Sequence, residues 1–279
     1  MLEYMKSAAC IESKSREGET NMNELEKYRE ELEVCDNEIF DLLLARNAIV
    51  EKMVACKEAR QMPVFRPDQE QKKNELWKSK LENERHADEV LKIMNRIAKS
   101  SKRIQARELF SYNIILIGFM GAGKSTVSDF LSTMFAMKVV EMDQVIAKRE
   151  QMSISDIFAT YGEEYFRNLE TRLLIEMQGK SDAVISCGGG VAMREENVKE
   201  MKKNGKVVLL TASPKVILER IKDSEERPIL NGNKNVEFIQ NLISKRKEKY
   251  QAAADITINT DHKSVMEICE ELIEKLSVE

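Results

Sequence analysis

Apolar residues along the first third of the chain fall in steps of three and four. From Met22 onward they recur at Leu25, Tyr28, Leu32, Cys35, Ile39, Leu42, Ile49, Met53 and Cys56. That spacing keeps one helix face in heptad register throughout, and Arg46 is the one slot of the seam that is not apolar. A second stripe, at seven-residue intervals, runs Arg29, Asp36, Leu43, Val50, Lys57. Pro63 and Pro67 end the helix, because proline has no N–H to donate and its ring clashes with the preceding turn. A second helix is expected over 68–81 and a third over 88–107, the third with Val90, Met94, Ile97, Ser101 and Ile104 on one stripe. Three helices in about eighty residues, one of them about forty long, cannot fold back into a generous core alone. Self-association is the expected remedy.

After the short junction Phe110 to Tyr112 the period changes. Asn113 to Ile117, Val139-Val140, Ala183 to Cys187, Lys206 to Leu210 and Asp255 to Ile258 read as strands, with helical spacing between them. Strand and helix in alternation imply a parallel sheet, here five-stranded, covered by helices. Residues 1–21 are polar and aperiodic, and are expected to be disordered. The codons of Gly18-Glu19 can supply a purine-rich, ribosome-binding-like stretch ahead of Met22, which makes Met22 the expected natural start. The expected organisation is thus a disordered extension over 1–21, an all-α three-helix domain over 22–110 and an α/β domain over 111–279, in keeping with about 150 residues per domain.

Composition removes several function classes. A formal charge of −4 argues against a broad nucleic-acid footprint. No apolar run approaches the ~20 residues of a membrane span, and no signal-peptide core is present. Cys10, Cys35, Cys56, Cys187 and Cys269 are scattered, odd in number and without metal-ligand spacing, as expected of reduced thiols in the cytoplasm. The two histidines, His86 and His262, lie in polar surroundings, so a histidine-based metal site or triad is not expected.

The sharpest chemical signal is Gly118-Phe119-Met120-Gly121-Ala122-Gly123-Lys124-Ser125, which matches G-x-x-x-x-G-K-[ST] between a strand and a helix. Backbone N–H groups of such a loop point inward at a helix start, whose partial positive charge favours phosphate. ATP is expected on Gly121, Ala122, Gly123, Lys124, Ser125 and Thr126. Lys124 would reach the outer phosphates and the Ser125 hydroxyl would hold Mg2+.

Four further features point to a small acidic acceptor. Glu141-Met142-Asp143 follows the second strand, and Asp143 can either take the proton of an attacking hydroxyl or orient it. Arg167 stands beside an acid in Phe166-Arg167-Asn168-Leu169-Glu170. Gly188-Gly189-Gly190 directly follows a strand and lets a ligand approach the backbone. Arg227 lies in a polar stretch suited to a mobile lid, where it can neutralise charge on a transferring phosphoryl group.

With these residues in order, followed by Arg246 and Tyr250, residues 113–279 resemble the shikimate kinases. The resemblance implies that Asp143 orients the shikimate 3-hydroxyl and serves as base. Arg167, Arg246 and the glycines Gly188, Gly189 and Gly190 would hold the substrate carboxylate and hydroxyls, with Glu170 orienting that network. Arg227 would be the lid arginine, and Arg220 would pack on the adenine. One departure is Glu141, where the family usually has aspartate; the longer arm would shift water-mediated Mg2+ contacts without abolishing them.

Arg29, Arg46 and Lys57 place three cations along one helix beside an apolar seam. Each alone reads as a register-setting or solvated residue; together they suit a dianion. With Glu70, Ser101 and Gln105, the order over about residues 23–107 resembles the all-helical chorismate mutases, which are intertwined dimers. The resemblance implies that Arg46 and the partner subunit's Arg29 bind the two chorismate carboxylates. Lys57 and Gln105 would contact the ether oxygen, Glu70 the ring hydroxyl and Ser101 the carboxylate side. Here too the chain departs: where the family usually reads Asp-Pro-x-Arg-Glu, it has Arg66-Pro67-Asp68-Gln69-Glu70.

The leading expectation is a cytoplasmic homodimer that phosphorylates shikimate with ATP and Mg2+ and rearranges chorismate, with no nucleic-acid or membrane partner. The short junction further suggests that occupancy of the helical domain alters the kinase. A rival makes the helical domain a dimerising or sensing module without chemistry, and another gives the kinase a different polyol acid.

Overall fold

Runs rich in Ile, Val and Leu become short strands: β1 (Asn113–Ile117), β2 (Lys138–Glu141), β3 (Ala183–Ser186), β4 (Gly205–Thr211) and β5 (Ile256–Asn259). They form one sheet in the order β2-β3-β1-β4-β5, every pair parallel. All five expected strands are therefore present, each within two residues of its expected ends. The computed structural model describes the backbone of residues 2–59, 67–179, 182–221 and 235–277, and side chains for 23–57, 69–179, 182–221 and 235–276.

β1 and β3 are buried at every position, as strands must be when helices cover both faces of a parallel sheet. The helices that follow the strands are α4 (Lys124–Phe135), α5 (Met142–Glu150), α6 (Ile154–Met177), α7 (Glu195–Lys203), α8 (Pro214–Ile221), α9 (Val236–Ala253) and α10 (Val265–Ser277). Leu131, Met134 and Phe135 of α4 and Cys269, Leu272 and Leu276 of α10 share one core with Ile114, Leu116 and Ile258 of the sheet. Phe166, Leu173 and Leu174 of α6, Met201 of α7 and Tyr250 of α9 share another with Ile115, Ile117 and Ile185. After β1 the chain crosses to β2 at one edge and returns to β3 beside β1, then passes to β4 and β5 on the other side. Such a reversal opens a crevice at the carboxyl ends of the strands, where ligands bind in open α/β sheets.

The preceding residues form α1 (Leu2–Ala59), α2 (Pro67–Lys80) and α3 (Ala87–Leu109). The helix runs through residues 2–21, which corrects the expectation of disorder there. That stretch holds no proline, and extending an existing helix avoids the cost of a new nucleus. Among the described residues no helix is long and apolar enough to cross a membrane, and Cys35, Cys56, Cys187 and Cys269 are free thiols.

By compactness the chain forms two units, Met1–Met53 and Val54–Glu279, so that residues on both sides of the 110/111 junction share one unit. The reason is apolar burial at the junction. Phe110 is fully buried, its ring edge-on to Phe135 of α4 at 5.6 Å between centroids, and Ala106 of α3 belongs to the same core. The end of α3 is thereby built into the sheet's own packing. The first unit, Met1–Met53, is the opposite case. Tyr28, Leu32, Ile39 and Leu42 of its seam are 54–68% exposed, and a lone amphipathic helix has no core to hold it.

Replacing Phe110 by alanine should cost about 3–5 kcal/mol of stability, the range for a buried phenylalanine. Denaturant unfolding of the full chain measures it. A change under about 1 kcal/mol would make residue 110 a mere spacer.

Candidate active site

The loop after β1 has the backbone its glycines foretell. Gly118, Gly121 and Gly123 have φ of 140°, 76° and 101°, in the region that side chains disfavour. At Gly118 space is decisive as well, since a Cβ there would collide with the Leu210 carbonyl of β4. α4 begins at Lys124, so the loop delivers its N–H groups at a helix start. Lys124 Nζ curls back to donate to the carbonyls of Gly118 and Phe119 at 3.0 and 3.2 Å, which holds the ammonium over the loop. The Ser125 hydroxyl donates to Glu141 Oε2 at 3.1 Å. Arg220 donates to the Gly121 carbonyl at 3.1 Å and to Thr260 Oγ1 at 2.9 Å, which fixes its guanidinium beside the loop.

Asp143 sits in the first turn of α5, directly after β2. A Cβ on Gly188 would lie 2.6 Å from Glu170 Oε1 and 2.8 Å from Asp143 Oδ1; the missing side chain is what lets both carboxyls close on one point. At Gly190 a Cβ would fall on the Arg167 guanidinium. Gly189 accepts from Tyr250 Oη at 2.5 Å and from Arg246 Nη1 at 3.4 Å, and the carbonyl of Gly118 lies 3.7 Å from its Cβ position. The triple glycine therefore touches the phosphate loop on one side and carboxyls and arginines on the other.

Arg167 is held from both sides. Nη1 donates to Glu170 Oε2 at 2.7 Å, while Nε and Nη2 donate to Glu163 Oε1 at 3.1 and 2.8 Å. Gly162, with φ 83° inside α6, kinks the helix just before Glu163. Glu170 is fully buried, and its Oε1 has no hydrogen-bond partner. Burial pushes its carboxyl up to about 7, with the charge of Arg167 pulling back part of the rise and nearby Asp143 adding to it.

In the helical half, Lys57 Nζ donates to Gln105 Oε1 at 3.3 Å, and Gln105 Nε2 reaches the Ser101 carbonyl at 3.4 Å. Three of the expected chorismate contacts are thus neighbours. Glu70 Oε2 instead accepts from Lys102 at 2.8 Å, and the same ammonium reaches the Thr133 carbonyl in the last turn of α4 at 3.2 Å. Arg29 and Arg46 lie on α1 within the first unit. Arg66 and Arg227 lie outside the described residues.

Residues 120–277 match the family model for shikimate kinase. The chain belongs to the shikimate kinase family. Residues 28–106 match chorismate mutase type II, so it is an enzyme that fuses a chorismate mutase domain to a kinase. A shikimate kinase of Dehalococcoides mccartyi is 43% identical over 164 residues, 59% of this chain and 93% of that protein. A solved shikimate kinase of Aquifex aeolicus is 40% identical with a TM-score of 0.52, covering 59% of this chain and 95% of that one. The Acinetobacter baumannii shikimate kinase, solved in complex with shikimate, is 28% identical with a TM-score of 0.56 over 59% of this chain and 92% of its own.

Sequence reasoning missed Glu163, Ser128, Thr260 and Lys102, residues whose partners lie on other elements or across a turn. A Gly-Glu step four residues before Arg167 was the one legible hint, since i, i+4 pairs meet on a helix.

Glu170 keeps its proton above the pH at which the unfolded carboxyl, with its ordinary value of 4.5, loses it. The native state thus binds the extra proton between those values, and this group's contribution to stability falls as pH rises through about 7. Thermal melts of wild type and Glu170→Gln across pH 5–8 should show wild type losing ground to the variant as pH rises. Parallel curves would rule out the buried proton.

Proposed function

We propose that residues 111–279 transfer the γ-phosphoryl group of ATP to the 3-hydroxyl of shikimate, and that residues 22–110 rearrange chorismate to prephenate. The observation that carries the first reading is the convergence at Gly188 to Gly190. Two carboxyls face one open point, and Arg167 and Arg246 flank it beside the phosphate loop. A carboxylated polyol suits that set, since an arginine fork matches a carboxylate and the unpartnered Glu170 Oε1 can share a hydrogen bond with a hydroxyl.

In this reading Gly121, Ala122, Gly123 and Thr126 present backbone N–H groups to the phosphates. Lys124 releases its own loop carbonyls to follow the charge of the transferring group. Asp143 accepts the proton of the attacking hydroxyl or orients it, while Gly189 and Gly190 let the ring approach the backbone. Arg220 would stack on the base, and Arg227 would close over the transferring group. Mg2+ fits the donors at the head of α4: Ser125 offers a hydroxyl oxygen beside the Glu141 carboxylate, and hard oxygen donors suit this ion. Bound there, it would neutralise charge on the phosphate oxygens.

The helical reaction needs no nucleophile, only a folded substrate and positive charge where the breaking ether oxygen gains electrons. The Lys57–Gln105 pair supplies both donors, Arg46 and the partner subunit's Arg29 would hold the carboxylates, and Ser101 and Glu70 would complete the polar lining. The exposed seam of the first unit supports a homodimer in which a second copy covers it. The free thiols fit a reducing, cytoplasmic setting. A second reading makes the helical domain a sensor. It draws on Lys102, which links Glu70 to the last turn of the phosphate-loop helix.

Asp143→Asn should lower kcat for shikimate phosphorylation about 10^2–10^4-fold while shikimate still binds. Unchanged turnover would remove Asp143 from the chemistry. Loss of chorismate absorbance on adding the full-length protein, absent with Arg46→Ala in a dimer of unchanged mass, would establish the mutase. No chorismate loss, together with a kinase rate that shifts on adding chorismate, would favour the sensor.

A further inference from the structure

Ser128 is polar, fully buried and one turn beyond Ser125 on α4. Its hydroxyl lies 2.6 Å from Glu141 Oε1 and 2.9 Å from the Ser125 carbonyl. A hydroxyl has a single proton, and the short contact to an ionised acceptor is the stronger of the two. Ser128 therefore donates to Glu141. The other oxygen of that carboxylate, Oε2, accepts from Ser125 Oγ. Glu141 is thus pinned at both oxygens by two hydroxyls of one helix.

We propose that Ser128 is a positioning residue for the divalent cation: it fixes one oxygen of Glu141 so that the other stays on the hydroxyl expected to ligate the ion. The inference rests on the reading of Ser125 as that ligand. Three physical steps support it. A serine hydroxyl that lends a lone pair to a cation still carries a proton, which needs an acceptor; Glu141 Oε2 is that acceptor and makes Ser125 Oγ a better donor. A glutamate arm has one more rotatable bond than an aspartate arm and loses more rotamer freedom when fixed. Ser128 supplies the fixing contact from a site closed to water, where a competing hydrogen bond to solvent is unavailable. Partners of this kind, one shell outside a metal, typically set its affinity within a factor of about 10–100.

The test is binding, not turnover. Calorimetric titration of ADP into wild type and Ser128→Ala is run in EDTA and over a Mg2+ series. The expected result is equal ADP affinity in EDTA and a Mg2+ midpoint raised about tenfold in the variant. In the Glu141→Asp background the shorter arm cannot span both serines, so Ser128→Ala should add little. An unchanged Mg2+ midpoint in Ser128→Ala overturns the inference while leaving the kinase reading intact. Weaker ADP binding already in EDTA also overturns it, because Ser128 would then be supporting the loop and not the ion. Wild-type binding indifferent to Mg2+ would sink both the inference and the cation reading of Ser125.

Discussion

Space at the end of β3 governs how the kinase site is assembled. Gly188, Gly189 and Gly190 leave room that any Cβ would fill, and into that room come Asp143 from the turn after β2, Glu170 and Arg167 from α6, and Arg246 and Tyr250 from α9. Like charges brought this close, away from water, cannot both stay ionised without help. Arg167 provides it, and Glu170 still holds a raised value. The fork of Arg167 is in turn occupied by Glu163 on its free edge, so a substrate carboxylate would have to displace an exposed side chain to bind there.

On the other side of the same glycines, the phosphate loop is held by neighbours that carry no catalytic group. Leu210 of β4 presses on Gly118. Thr260, at the end of β5, donates to the Ala122 carbonyl and fixes Arg220. Ser128 holds Glu141. The loop's geometry therefore depends on the sheet order, which sets β3 and β4 on either side of β1. One consequence reaches the fused domain: α3 packs on α4, the helix that begins at Lys124, and Phe110 inserts into the core behind it. The mutase-like helix α3 is thus continuous with the kinase in packing as well as in chain.

Much of this was legible in the residues. All five strands were readable because each is a short apolar run bounded by polar residues. The loop from Gly118 to Ser125 was readable because its backbone demands glycine at fixed spacing. Asp143, Arg167 and Gly188 to Gly190 each follow a strand or hold a short motif. By contrast, Ser128 and Lys102 have no motif, and their meaning comes from partners at other places in the fold, Glu141 in one case and Glu70 with Thr133 in the other.

The sequence by itself determined the five strands, the phosphate loop and the two family resemblances, because those depend on local period, on backbone conformations that few residues tolerate, and on spacing along the chain. Tertiary structure alone decided where the compact units divide, that Phe110 belongs to the kinase core, that the Glu170 carboxyl is buried and raised toward neutrality, and that Glu141 is gripped by two serines. Each of these is a matter of burial or of contact between distant elements, and neither quantity is carried by any short stretch of chain.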